Sequence, residues 1–259
     1  MIRNDRARDT IFPPQIRRGG IDSVVCWIMS PVPDTLSEYL QKFVTEQRLD
    51  RFREVLAQRT RYLTMVLEDI FHPHNASACL RTCDCFGIQD VHIVEHRNEF
   101  QPNEEISLGS SQWLTIHQHL SDSGDAGVRC IQQLQEQGFR VVATSPRQNS
   151  LPLDQVPIDK PLAVIFGAEQ MGVSDASIEA SDALVHIPMY GFTESFNISV
   201  SLALIARELT TRIRAAGIEW QLPADQHDAL LDEWVEITLG EKLAPLKRRH
   251  ESDREKSNE

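Results

Sequence analysis

Cysteine is scarce in this chain of 259 residues: five thiols, an odd number, of which Cys79, Cys83 and Cys85 crowd one segment. A disulfide framework does not suit a chain this long and this poor in cysteine, so reduced thiols are expected. No apolar run approaches the length that crosses a bilayer, and no membrane span is expected. A Walker A pattern is missing. The glycines of FGAEQMG, Gly167 and Gly172, are wrongly spaced for the G-x-G-x-x-G dinucleotide fingerprint. There is no internal repeat and no low-complexity tract apart from the charged tail KRRHESDREKSNE. The stretch IDSVVCWIM makes a poor secretory signal, because Asp22 interrupts it and no small-residue cleavage pattern follows. The expected location is the cytoplasm.

Positive charge is also in short supply, with a formal net charge of −12. Taken alone, that argues against a nucleic-acid partner, since a polyanion repels an acidic protein. The deficit is uneven, however. RLDRFREVLAQRTR carries Arg48, Arg51, Arg53, Arg59 and Arg61, while many acids lie after Pro223. A solvated helix face is the plain explanation; a local basic face that meets phosphate is the alternative.

What remains is ordinary for a globular protein: 41% apolar and 25% charged residues. The length suits one large α/β domain with extensions, or two small domains, with a sizeable core. Residues 1–34, rich in Arg, Asp, Pro and Gly without periodicity, read as a disordered extension, with Met29 a candidate start. Helical spacing begins at Thr35 (Leu36, Tyr39, Leu40, Phe43) and resumes with Leu49, Phe52, Val55 and Leu56. Strands are then predicted at 63–70, 90–96, 111–119, 139–145, 162–167 and 183–189. Helices are predicted at 74–87, closed by Gly87, at 122–137, from Ser174, and from Ser195. In the last of these Ile198, Leu202, Ile205, Leu209 and Ile213 form one stripe, with Gly217 just beyond. This alternation implies an α/β fold, a mostly parallel sheet with helices on both faces, whose ligands sit at the carboxyl ends of the strands.

Three polar clusters fall at such ends: HPHNASACLR, FGAEQMG and PMYGFTESFN. In the first, Asn75 sits where a helix cap belongs. Arg81 falls within a helix that should be largely buried, so it needs either an acidic partner, Asp84 or Glu68, or a substrate phosphate. His72, His74, Cys79 and Cys83 invite a metal, but their spacing fits no zinc module; packed thiols are expected and no metal. Glu169 is either an ordinary loop carboxylate or a crevice residue beside Gly167, where a backbone can approach a ligand closely. In the third cluster Ser195 can cap the last helix and Glu194 suits its positive end. That leaves Asn197, Ser199 and Ser201 unexplained. The residues alone point to a crevice lined by Arg81, Glu169, Ser195 and Asn197.

Together the clusters resemble the SpoU/TrmH branch of the SPOUT RNA methyltransferases. The carriers of the resemblance are HNASACLRTCDCFG, FGAEQMG and IPMYGFTESFNISVSLAL, in order, across residues 62 to about 215. The flanking helices look most like the tRNA (guanosine-18) ribose methyltransferases of that branch. The resemblance implies a C-terminal deep trefoil knot, one of the exceptions to the rule against knots. It also implies S-adenosylmethionine bound through Thr144, Gly167, Ile187, Gly191 and Phe196, and a homodimer that completes each site across its interface. Methyl transfer to a ribose 2′-hydroxyl in tRNA would use Arg81, assisted by Asn75, Glu169, Ser195 and Asn197. Arg48, Arg51 and Arg59 would hold tRNA. The implied layout is an extension over 1–34, a basic helical arm over 35–61, a methyltransferase domain over 62–216 and a helical extension with a charged tail over 217–259. Phe196 and Ile198 stand where Leu and Val are commoner, and both remain apolar.

Rival readings separate on simple observations. A ribosomal RNA methyltransferase of this type often has a separate N-terminal RNA-binding domain, and only about sixty residues precede the first motif here. A silent RNA-binding scaffold would not need all of Asn75, Arg81, Glu169, Ser195 and Asn197. A metal-dependent hydrolase would need His72, His74 and Cys79. Gly191→Val is expected to crowd the cofactor loop.

Overall fold

The computed structural model describes residues 35–257, apart from 97, 99, 101–108, 122–123 and 148; the expected disordered extension lies outside the described residues. Seven strands form one sheet in the order β3-β2-β1-β6-β4-β7-β5. They are β1 (Leu63–Glu68), β2 (Asp90–Glu95), β3 (Thr115–Leu120), β4 (Arg140–Thr144), β5 (Leu151–Pro152), β6 (Leu162–Phe166) and β7 (Ala183–His186). Every pairing is parallel. All six residues of β1 are buried, as a central strand covered on both faces requires.

Helices α3 (Pro73–Phe86) and α6 (Ile198–Ala215) cover one face, where Cys79, Leu80 and Cys83 meet Leu202, Ile205 and Leu209. Helices α4 (Ala126–Glu136) and α5 (Asp175–Ala180) cover the other, around Val66, Cys130, Ile131 and Ile165. The flanks meet in a third apolar cluster. Helices α1 (Leu36–Gln41) and α2 (Glu46–Leu56) pack on α7 (Ala224–Leu239) and α8 (Leu243–Ser257) through Leu40, Phe52 and Trp234.

Several boundaries move, each for a local reason. Helix α3 begins at Pro73 with His72 as its N-cap, so Asn75 lies inside the first turn and is not the cap. It ends on Gly87 in the left-handed region (φ 76°), where a Cβ would also lie 2.3 Å from the Gln58 carbonyl oxygen. Helix α6 starts at Ile198, capped by the Asn197 side chain and not by Ser195. The stripe expected on it is buried as predicted. Residues 110–113 form a 3-10 turn before β3, and β7 stops at His186, which frees 187–197 as a loop at the sheet's carboxyl edge.

Candidate functional site

That carboxyl edge holds a cleft of about 790 Å³, within the usual range for small-molecule sites. Its walls come from the loops after β4, β6 and β7 and from the start of α6. Thr144, Gly167, Glu169, Ile187, Ser195, Phe196 and Asn197, all expected at the site, line it. Phe166, Val185, Ile198 and Ile205 make its floor apolar. The Thr144 hydroxyl donates to the Ile165 carbonyl at 2.9 Å, which fixes the end of β4 against β6.

One hydrogen-bonded chain joins the three polar clusters. Asn197 Nδ2 donates to Asn75 Oδ1 at 3.2 Å, and Asn75 Nδ2 donates to Glu169 Oε1 at 2.7 Å. Asn197 Oδ1 in turn accepts from the Ser199 amide at 2.9 Å and the Ser199 hydroxyl at 2.6 Å, so the cap of α6 also orients the chain. Burial pushes the Glu169 carboxyl up. The Asn75 amide, the backbone N–H groups of Glu169 and Phe71, and His72 outweigh that burial and hold it below its ordinary value. Its other oxygen, Oε2, is buried and has no partner among the described residues, which leaves an unsatisfied anionic acceptor. The Cys79 thiol, by contrast, is pushed up to about 12 by burial and by the Glu169 charge, so it is an inert packing group.

Arg81 and Gly191, both expected at the site, stand elsewhere. Arg81 does not line the cleft and is not buried: it is exposed on α3, with no hydrogen bond or ion pair to a described residue. The two acids named as its partners are engaged elsewhere, Asp84 with Arg59 and Glu68 with Ser174, Ser177 and His96. Gly191 also lies outside the lining, and a Cβ there would meet nothing within 4 Å. Gly167 carries the steric demand: a Cβ on it would fall 2.0 Å from the Gly172 carbonyl carbon and 2.1 Å from the Val173 nitrogen. Its lack of a side chain closes the 167–173 turn on itself.

The basic arm also differs from expectation. Arg59 is 1% exposed, paired with Asp84 and lying over the Trp234 ring at 5.4 Å. Because α2 ends at Leu56, Arg59 cannot share a helical flank with Arg48 and Arg51. Arg51 is exposed but pairs with Glu54 at 3.1 Å, and exposed Arg48 stacks on Phe52 and Trp113. His72, His74, Cys79 and Cys83 form no convergent ligand set among the described residues.

The cleft also recruits residues that spacing did not single out: Ser145, Arg147, Ser150 and His186. Ser150 Oγ lies 2.8 Å from His186 Nδ1, and Arg147 pairs with Asp175. The signal available was TSPRQNS, a polar turn directly after a predicted strand.

Known proteins share both the motifs and the architecture. The profile of the SpoU rRNA Methylase family matches residues 62–207. A Borreliella burgdorferi protein named tRNA (guanosine(18)-2'-O)-methyltransferase is 40% identical over 183 residues, 71% of this chain and 82% of the relative. One of the same name from Thermus thermophilus is 36% identical over 195 residues, covering 74% and 97%. The crystal structure of the Aquifex aeolicus TrmH/SpoU tRNA modifying enzyme superposes with a TM-score of 0.69 at 29% identity, over 76% of this chain and 98% of that one. With its cleft, its three polar clusters and its sheet all inside the matched span, the chain belongs to the SpoU rRNA Methylase family.

Proposed function

We propose that this chain methylates the ribose 2′-hydroxyl of guanosine 18 in the D-loop of tRNA, with S-adenosylmethionine as donor. The observation that carries the reading is the chain Asn197–Asn75–Glu169 beside an apolar-floored cleft. The names of the relatives support the tRNA substrate. Among the described residues, the cleft suits the cofactor: apolar walls for an adenine, a closed glycine turn at Gly167, and a buried carboxylate oxygen that still lacks a hydrogen-bond donor.

Bound there, S-adenosylmethionine supplies a methyl group on a sulfonium that is its own leaving group. The protein's task is alignment and relief of the proton from the attacking oxygen. Thr144, Gly167, Ile187 and Phe196 hold the donor in the cleft. Glu169, ionised and gripped on one side by Asn75, presents Oε2 to the ligand, and Ser195 and Asn197 place the ribose. Arg81 is a guanidinium and always protonated, so it is not the base. It clamps the phosphate next to the target ribose and stabilises the oxygen as its proton passes to solvent.

Because Arg81 is exposed on α3 and unpaired among the described residues, and α3 packs beside α6, we place it in the cleft of a second protomer. The exposed side chains Val200 and Leu204 on α6 and Phe71 before α3 supply an apolar surface for such a homodimer. The segment after β7 is read as passing through the 167–173 loop region in a deep trefoil knot. The methyltransferase domain spans 62–216, with the helices on both flanks forming one supporting unit, in a cytoplasmic enzyme.

The test is incubation of the protein with labelled cofactor and, in separate arms, transcribed tRNA and ribosomal RNA, followed by mapping of the methylated ribose. Label at guanosine 18 is the expected result. Label confined to ribosomal RNA would move the substrate, and no label on either would leave a binding scaffold.

A further inference from the structure

A second cluster of chemistry-bearing side chains lies under α4, away from the cleft. We propose that His92, His119 and Cys130 form a binding site for one thiophilic d10 cation, Zn2+ or Cu+. Their ligand atoms all lie within 4.8 Å of one another, the only such group of three His, Cys, Asp or Glu among the described residues. None of the three lines the cleft.

The site is assembled by sheet register. In the parallel pairing of β2 with β3, His92 lies opposite His117, and side chains two apart on a strand share a face, so His119 stands on the same side as His92. Helix α4 packs on that face and contributes Cys130, which is fully buried among Val66, Val94, Ile131 and Leu134. His92 is buried as well, and His119 is half-buried on the edge strand, which leaves an approach from solvent.

His92 Nδ1 and His119 Nε2 are 3.0 Å apart, with ring centroids 5.2 Å apart and planes 26° off parallel. Two nearly coplanar imidazoles thus point ring nitrogens at each other, and without a cation one of them must donate its N–H to the other. His117 stacks flat on His92, centroids 4.5 Å apart at 16°, and its Nε2 is 3.1 Å from Asp90 Oδ1, which fixes the plane of the His92 ring.

Nitrogen and thiolate ligands at about 2.0 and 2.3 Å from zinc stand about 3.3–3.6 Å from one another in a tetrahedron. The observed separations require only small side-chain rotations to reach that. A thiolate with two imidazoles is a borderline-soft donor set, which favours Zn2+ or Cu+ over Mg2+ or Ca2+. On binding, the Sγ–H bond of Cys130 breaks and its proton goes to solvent, an Sγ–metal bond forms, and both imidazoles remain neutral. Water completes the shell on the side of His119. The cation would tie edge strand β3 and helix α4 to β2.

The full-length protein, stripped with a chelator, should take up one Zn2+ or, in a separate reducing arm, one Cu+ per chain. Co2+ in place of Zn2+ should show the thiolate-to-metal charge-transfer absorption. That band should vanish in Cys130→Ser, and His119→Gln should weaken zinc binding by at least about 100-fold; the half-buried position of His119 allows this variant to fold, and a cooperative melt checks both proteins. The melting temperature of the wild type should rise with zinc concentration. Failure to bind either cation would overturn the proposal. So would a charge-transfer band that persists in Cys130→Ser, since it would place the metal on another thiol.

Discussion

Asn75 and Glu169 are 94 residues apart in the chain and 2.7 Å apart in space. The bond does two things at once: it satisfies an amide that is nearly buried, and it lowers the proton affinity of a cleft carboxylate whose other oxygen is buried without a partner among the described residues. Sequence offers Asn75 either as a helix cap or as a site residue; in the structure it does not cap α3 but joins two loops.

The sign of its effect on pH dependence follows. Glu169 sits below its ordinary value, so it is ionised at neutral pH, and activity that needs the carboxylate is lost only as pH falls through that lowered value. Asn75→Ala removes a lowering cause and leaves burial, which raises it. The acid limb of the pH–rate profile should move to higher pH, and kcat/KM at neutral pH should fall by about 10- to 100-fold, the cost of a hydrogen bond to a charged group. A reduced rate with an unmoved acid limb would mean that Asn75 does not set the ionisation of Glu169.

Arg81→Ala should abolish methyl transfer while leaving the fold and cofactor affinity intact, because no described residue depends on the guanidinium. If Arg81 serves the neighbouring protomer's cleft, mixing Arg81→Ala with Glu169→Gln should regain activity: a mixed dimer has one cleft with both groups present. Equilibrium binding of cofactor, and activity after co-refolding the two variants, are the measurements. No recovery from the mixture would return Arg81 to its own chain's cleft.

The two glycines should behave in opposite ways. Gly167→Ala drives a methyl group into the Gly172–Val173 backbone, at 2.0–2.1 Å, and should cost about 3 kcal/mol, the upper end of overpacking, together with cofactor binding. Gly191→Val faces open space and should change neither the urea midpoint nor cofactor affinity, contrary to the expectation from sequence. A glycine's place in a motif shows that the backbone is tight nearby but does not say against what.

The same limit explains what could be read in advance. The strands, the stripe Ile198–Leu202–Ile205–Leu209–Ile213 and the closing Gly87 were legible, because periodicity and left-handed turns are local. So was the convergence of FGAEQMG with PMYGFTESFN, since both follow strands of one parallel sheet. The exposure of Arg81 was not legible: it depends on which face of α3 meets the sheet and on Asp84 being taken by Arg59 from outside the helix. The His92–His119–Cys130 group was hidden for a similar reason, its members lying on three elements with no motif spacing.

The arginines of the basic arm separate into structural and surface roles, and salt dependence can tell them apart. Arg59 is buried against Asp84 and Trp234, and Asp84 keeps some solvent contact. Arg59→Ala should therefore cost about 2–3 kcal/mol in stability, below the range for a fully buried pair. It should leave the slope of log K against log salt for tRNA binding unchanged in the folded protein. Arg51 already pairs with Glu54, and an exposed pair of this kind is worth little, so phosphate can capture the guanidinium only by displacing the carboxylate. Arg48, stacked on Phe52 and Trp113, has no carboxylate to give up among the described residues. Arg48→Ala should then reduce the salt slope by about one phosphate contact, roughly 0.7–0.9 units, and Arg51→Ala by less. Equal slopes for wild type and Arg48→Ala would remove α2 from the tRNA interface, and the acidic chain would then have to draw its phosphate contacts from exposed cations elsewhere, with Arg81 and Arg207 the first to replace.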